Sequence, residues 1–300
     1  MCLNLGMRRA IYCVARGGAS YTEMALGLAR SLQLIGDTHL RILATDIPGV
    51  DWKRYFHQVV DLQTPRSALD KLFALETTDA DAVLALDVDM LAFRPLDSIF
   101  AAGSGRPFVV QGFWETEGNF HRRPIAEILA RYPNLTDAFP RFNGGLIYYE
   151  RSEVFARLLE AFRRAEEAYD ALGFERFRRS MPSEEVCVLE GMMRNNYVDL
   201  FPMETQFQHS LSGPIGPVRV DILKGECQAV CKVRRGVELA RPILWHAWRY
   251  KDYTLYWNQL RALRRVEEIA ERRPPEYVTP FGRLRRSIER RWVEQIRRYR

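Results

Sequence analysis

Two aspartates one residue apart, Asp87 and Asp89, close an apolar run of strand length, Val83-Leu84-Ala85-Leu86. In an extended strand positions i and i+2 share a face, so both carboxylates are expected to point into one crevice. Unpaired anions at a buried strand end are costly unless something positive sits beside them. Such oxygen ligands suit a divalent cation that can in turn bridge a diphosphate. The pattern Asp-x-Asp is weak alone: Asp79-Ala80-Asp81 also matches, and is expected in a solvated turn ahead of the strand. The second pair differs in its surroundings. An apolar strand precedes it, and Met90-Leu91-Ala92-Phe93 and then Arg94-Pro95-Leu96-Asp97 follow. The alternative is a strand end whose aspartates cap the next element.

The elements that must position this pair can be taken in order. Ala10–Ala15 reads as a first strand, followed by the small-residue loop Arg16-Gly17-Gly18-Ala19-Ser20. From Tyr21, the apolar positions Met24, Leu26, Leu28, Leu32 and Leu34 predict a helix packed on a sheet. Arg41–Thr45 is a second strand ending at Asp46, and Val59–Leu62 a short third. Arg66–Thr77 is expected to be helical and carries Lys71 into the central strand. This β-α-β-α order predicts an α/β fold with a doubly wound sheet and ligands at the strand ends. Arg16-Gly17-Gly18 matches neither a P-loop nor a G-x-G-x-x-G fingerprint.

Arg106–Gln111 predicts another strand, and residues 112–141 an aromatic, proline-rich and charged excursion facing substrate. Arg141-Phe142-Asn143-Gly144-Gly145 then reads as a turn entering a strand, Leu146–Tyr149. Two glycines let backbone approach a ligand closely, and Asn143 offers both donor and acceptor. The plain alternative is a tight turn. Ser152–Tyr169 predicts an amphipathic helix, and Ser183-Glu184-Glu185 caps another that runs through Met193. Ile243-Leu244-Trp245 forms a late strand ending at His246. A lone histidine there is ordinarily a hydrogen-bonded core residue, and only its place in the order of motifs raises it to a ligand.

At 300 residues, 47% hydrophobic and 27% charged, the composition is that of a globular protein able to bury a large core. No apolar run reaches membrane-spanning length, and the N-terminus lacks a secretory pattern. Five scattered cysteines predict reduced thiols, since Cys227 and Cys231 have no partners at zinc-site spacing. The net charge of +6 is localised. Arg283–Arg300 holds eight arginines and two glutamates, also +6, which leaves the remainder formally neutral.

Taken together, the motifs over roughly residues 10–252 resemble the GT-A nucleotide-sugar glycosyltransferases. They are most similar to glycosyltransferase family 8, the glycogenin and bacterial lipooligosaccharide galactosyltransferase group. Leu86-Asp87-Val88-Asp89 with Arg94-Pro95-Leu96 resembles that family's metal motif, and Phe142-Asn143-Gly144-Gly145 its Phe-Asn-Ser/Ala-Gly turn. Trp245-His246 resembles the late histidine that completes the metal shell, Lys251 the nearby diphosphate lysine, and Lys71 a lysine that contacts the nucleotide sugar. The resemblance implies a GT-A type, Rossmann-like mixed sheet flanked by helices. It also implies metal-dependent hexose transfer from a UDP-sugar with retention of configuration. Asp87, Asp89 and His246 would then bind Mn²⁺ or Mg²⁺, mixed carboxylate and imidazole ligation favouring Mn²⁺. Asp87-Val88-Asp89, Lys71, Gly144 and Lys251 would hold the nucleotide sugar, with Arg249 a further charge at the phosphates. Glu184 and Asn143 are the candidates beside the reacting sugar, Glu184 having a helix-capping role as its alternative. Tyr12 and Asp46 are candidates for nucleoside contact, with core and loop roles as theirs. This chain departs from the family in two places. Glu184-Glu185 stands where members carry Asp-Gln, and the segment after His246 lacks a glycine and brings the lysine one residue closer.

The division expected is a catalytic domain over residues 1–272 and a basic tail over 273–300. In the tail Leu284, Ile288, Trp292 and Ile296 recur every fourth residue among arginines, a basic amphipathic helix suited to an anionic membrane surface. The alternative is a terminal helix packed on the domain or a partner. A saccharide or lipid-linked saccharide acceptor fits such a tail, as does a cytoplasmic location, peripheral on the inner face of the membrane. Nucleic acid is not an expected partner, because the body carries no net positive charge to extend a basic track. Two other functions fit the same motifs. One is a nucleotidyltransferase, of whose Gly-rich N-terminal loop Arg16-Gly17-Gly18 is only a fragment; the other is a catalytically degenerate GT-A binding module.

Overall fold

The computed structural model describes residues 7–63, 66–132, 138–176, 180–233, 236–248 and 254–271. Its elements begin β1 (Arg9–Ala15), α1 (Ala19–Leu34), β2 (Leu40–Thr45), β3 (Gln58–Asp61), α2 (Ala74–Thr77), β4 (Ala82–Leu86), β5 (Met90–Ala92) and α3 (Asp97–Gly103). They continue with β6 (Phe108–Glu115), β7 (Asn119–Phe120), β8 (Arg123–Pro124), α4 (Ile125–Leu129), β9 (Phe139–Glu150), α5 (Glu153–Glu167) and α6 (Tyr169–Leu172). The last are α7 (Glu184–Arg194), β10 (Leu200–Pro202), β11 (Gln208–His209), β12 (Arg219–Asp221), β13 (Glu226–Val233), β14 (Gly236–Ala240), β15 (Leu244–His246) and α8 (Thr254–Glu271). Two compact units divide them, one within Met1–Thr22, Thr38–Val88 and Leu96–Gln208, the other within Glu23–Asp37, Asp89–Pro95 and His209–Arg300.

The first unit is a mixed α/β layer structure on a seven-stranded sheet, in the order β10-β6-β9-β4-β1-β2-β3. Strands β3, β2, β1 and β4 are parallel, as the alternating order predicts. Strand β9 lies antiparallel between β4 and β6, so the sheet is mixed. Helices cover both of its faces, and two consecutive tyrosines of β9 prove it. Neighbouring strand residues point to opposite faces. Tyr148 meets Phe100 edge-on at 6.1 Å, on α3, while Tyr149 stacks on Phe155 of α5 at 4.5 Å. Strand β4 is therefore buried along its whole length, which explains its unbroken apolar sequence.

The second unit holds two three-stranded sheets, β11-β15-β5 and β12-β13-β14. Here α1 packs against α8: a Cβ on Gly27 would stand 2.2 Å from a methyl of Leu260, and Arg30 pairs with Glu267 at 2.7 Å. Among the described residues no helix is long and apolar enough to cross a membrane. Cys13, Cys187, Cys227 and Cys231 are buried free thiols. Lys251, Arg249 and the basic segment 273–300 lie outside the described residues.

Three local expectations need correction. Asp87 and Asp89 do not share a strand face: β4 ends at Leu86, and Val88-Asp89 form a turn into β5. The Asp87 backbone N–H is held by Gly145 O at 3.0 Å, outside the β4 ladder. Arg66–Thr77 is not one helix but a 3-10 turn, Asp70–Leu72, followed by the single turn α2. Both Asp70 and Lys71 are buried there in ion pairs, and a continuous amphipathic helix could not send two adjacent charges into the protein. Finally, Phe142-Asn143-Gly144-Gly145 is no turn. Strand β9 runs straight through it, against a shift of register in β6 between Val110 and Gly112.

Candidate functional site

In the first unit the parallel strands deliver their C-terminal ends to one edge of the sheet. After β1, Arg16 is buried and forms an ion pair with Asp70, Nε to Oδ2 at 2.8 Å. The next residue, Gly17, donates its N–H to Asp46 at the end of β2. Glu166 of α5 accepts from Ser67 Oγ and Ala68 N, both at 2.7 Å, and so anchors the segment that carries Asp70 and Lys71. Lys71 is the hub. Its Nζ lies 2.6 Å from Asp87 Oδ1, 2.9 Å from Glu184 Oε2 and 2.7 Å from the carbonyl oxygen of Gly144.

Burial alone would push the Lys71 ammonium down, but the Asp87 and Glu184 carboxylates outweigh it and hold the group above its ordinary value. One cation here serves two anions. Burial pushes Glu184 up to about 7 against the pull of Lys71, and the Asp87 charge adds to the rise. Its Oε1 is buried without a hydrogen-bond partner among the described residues. Gly144 lets β9 pass close to this carboxylate, since a Cβ there would stand 3.3 Å from Glu184 Oε1.

Glu184 and Glu185 open α7, where acidic side chains meet a helix N-terminus favourably. Neither carboxylate is spent on capping. The Ser183 hydroxyl, expected to cap, is not bonded to the helix and lies 3.3 Å from His121 Nε2. Glu185 Oε1 accepts from Gly144 N at 3.2 Å and from Asn143 Nδ2 at 3.4 Å, and its Oε2 is 3.3 Å from His121 Nε2. Asn143 Oδ1 accepts from Gly145 N at 2.9 Å and from Gln208 Nε2 at 3.5 Å. Tyr12 is buried in the same core as Leu72 and Tyr149, and burial raises its phenol well above the ordinary value.

In the second unit β15 pairs antiparallel with β5, placing His246 opposite Met90. Asp89 is 7% exposed and His246 4%, and His246 Nε2 lies 3.3 Å from Asp89 Oδ1. The carbonyl of Asp89 also accepts from Ala247 N at 3.0 Å. By contrast, Asp79 of the other Asp-x-Asp is solvated and pairs with exposed Arg8.

Sequence reasoning missed Arg16–Asp70, Gln208 and His121. Each depends on residues far apart in the chain, so no local spacing announces it. No family model matches this chain. A search of curated proteins found no match either.

Proposed function

We propose that this chain is a metal-dependent glycosyltransferase of the GT-A type. It moves a hexose from a UDP-sugar to a saccharide or lipid-linked saccharide acceptor, with retention at the anomeric carbon. The observation that carries the proposal is the pair of buried candidate ligands Asp89 and His246, Oδ1 to Nε2 at 3.3 Å, with Asp87 two residues before Asp89 in the chain. Two carboxylates and an imidazole form a mixed oxygen and nitrogen donor set, which fits Mn²⁺ and, less well, Mg²⁺. The near-complete burial of Asp89 and His246 also fits, because a buried charged ligand set is favourable when a cation completes it. When bound, the ion neutralises charge on the two phosphates of the leaving nucleotide diphosphate.

The residues of the chain supply the rest. Lys71 holds the Asp87 carboxylate in place and brings a fixed positive charge beside it. Glu184 and Asn143, with the Gly144 backbone close by, supply acceptor and donor groups for sugar hydroxyls in this scheme. Lys251 and Arg249 add positive charge at the phosphates in this scheme, and the basic segment Arg283–Arg300 brings the protein to an anionic membrane surface where a lipid-linked acceptor resides. A cytoplasmic, peripheral location goes with that acceptor.

Calorimetry of UDP with and without Mn²⁺ tests the proposal on the parent protein and on Asp89→Ala and the closer isostere Asp89→Asn. Binding should require metal in the parent and vanish in both variants. Binding that ignores the metal, or no binding by the parent, would sink it.

A further inference from the structure

His121 adopts a left-handed backbone conformation. It is the first of two adjacent non-glycine residues with positive φ, His121 at 45° and Arg122 at 65°, in the two-residue turn joining β7 to β8. Such turns favour Asn-Gly, because side chains crowd the backbone at positive φ. The neighbouring arginines are engaged elsewhere: Arg122 with Glu175, and Arg123 with the carbonyl of Gly173. The ring of His121 packs edge-on against Phe120 at 4.6 Å, and its Nε2 lies 3.3 Å from both Glu185 Oε2 and Ser183 Oγ.

This contact completes a chain of hydrogen bonds. Glu185 Oε1 is fixed by Asn143 Nδ2 and Gly144 N, and Gly144 O in turn accepts from Lys71 Nζ. With one oxygen held by β9 and the other by the hairpin, the Glu185 carboxylate has a single orientation. Without His121, the Glu185 carboxylate would be held through Oε1 alone, and the carboxylate to which Asn143 Nδ2 and Gly144 N donate would lose its second anchor.

We propose that His121 is a positioning residue: by holding Glu185 it sets the orientation of Asn143 and Gly144 towards the donor sugar. The proposal rests on the glycosyl-transfer reading above. The simpler role, tying a hairpin to the start of α7, predicts different measurements.

His121→Ala removes the ring and the donor, and His121→Phe keeps the packing on Phe120 but not the donor. His121→Gln keeps a donor at similar reach. Each variant and the parent are assayed for Mn²⁺-dependent UDP affinity and for hydrolysis of UDP-glucose and UDP-galactose. Loss of a second-layer partner commonly costs about 10-fold, so kcat should fall by about that factor in Ala and Phe, with UDP affinity within about 2-fold of the parent. The Gln variant should recover most of kcat. Unchanged kcat in Ala and Phe, parallel loss of kcat and UDP affinity, or no rescue by Gln would each overturn the proposal. A parent that binds UDP with metal yet hydrolyses neither probe counts against this proposal alone. Absent metal-dependent UDP binding removes the glycosyl-transfer reading, and this proposal falls with it.

Discussion

At the scale of single residues the site is governed by a mismatch of charge. Lys71 stands between two carboxylates, and Glu184, the more enclosed, resists ionisation. Its ordinary value of 4.5 is raised to about 7 on folding, so between these values the folded chain keeps a proton that the unfolded chain has released. The penalty of ionising Glu184 is therefore absent below that window, grows through it, and is full above it, at roughly 1–3 kcal/mol. Replacing the group by a neutral isostere removes the dependence, while Asp87 still partners Lys71. In metal-free buffer, Glu184→Gln should gain on the parent in stability as pH rises from about 5 to about 8, by that same margin. Denaturant titrations at the two pH values check it; a difference that stays constant, or that favours the parent at high pH, refutes the shift.

At the scale of elements, α7 is what aims Glu184 and Glu185, and its own position depends on close contact with α5. Gly191 makes that contact possible. A Cβ there would stand 2.3 Å from Cδ1 of Phe162 and 3.1 Å from its backbone nitrogen. Phe162 has no room to retreat, being fully buried against Phe108 at 5.2 Å. Gly191→Ala should therefore destabilise the protein by about 1–3 kcal/mol through overpacking. The control Gly216→Ala, with open space around it and no positive φ, should stay within about 0.5 kcal/mol. Urea midpoints distinguish the two, and equal values would show that the helices separate without cost.

At the scale of the whole molecule, charge is divided unevenly along the chain. All of the formal +6 resides in Arg283–Arg300, so truncation after residue 272 removes the basic segment together with its apolar stripe. The truncated protein should keep metal-dependent UDP binding and lose sedimentation with anionic vesicles, which the full chain should show at low salt and lose at high salt. Vesicle binding that survives truncation would place the membrane contact elsewhere. The same division between local and long-range order decides what could be read beforehand. The strands β1, β2 and β4 and helix α5 with its Ser152 cap were legible because period and capping are local properties, and α7 starts where expected although the Ser183 hydroxyl does not cap it. The Asp87, Asp89 and His246 set came instead from the resemblance in motif order, since a lone histidine after a strand is ordinarily a core residue. The sequence by itself determined these strands and helices and where the candidate ligands Asp87, Asp89 and His246 fall along the chain. Only tertiary structure decided what surrounds them: in the first unit a turn after β4 and the ion pairs of Lys71 with Asp87 and Glu184, in the second the pairing of β15 with β5. It also decided that Asn143–Gly145 lie within a strand and that His121 reaches Glu185. The physical reason is that burying charge demands partners, and those of Lys71, namely Asp87 and Glu184, come from distant positions in the chain, beyond any local pattern.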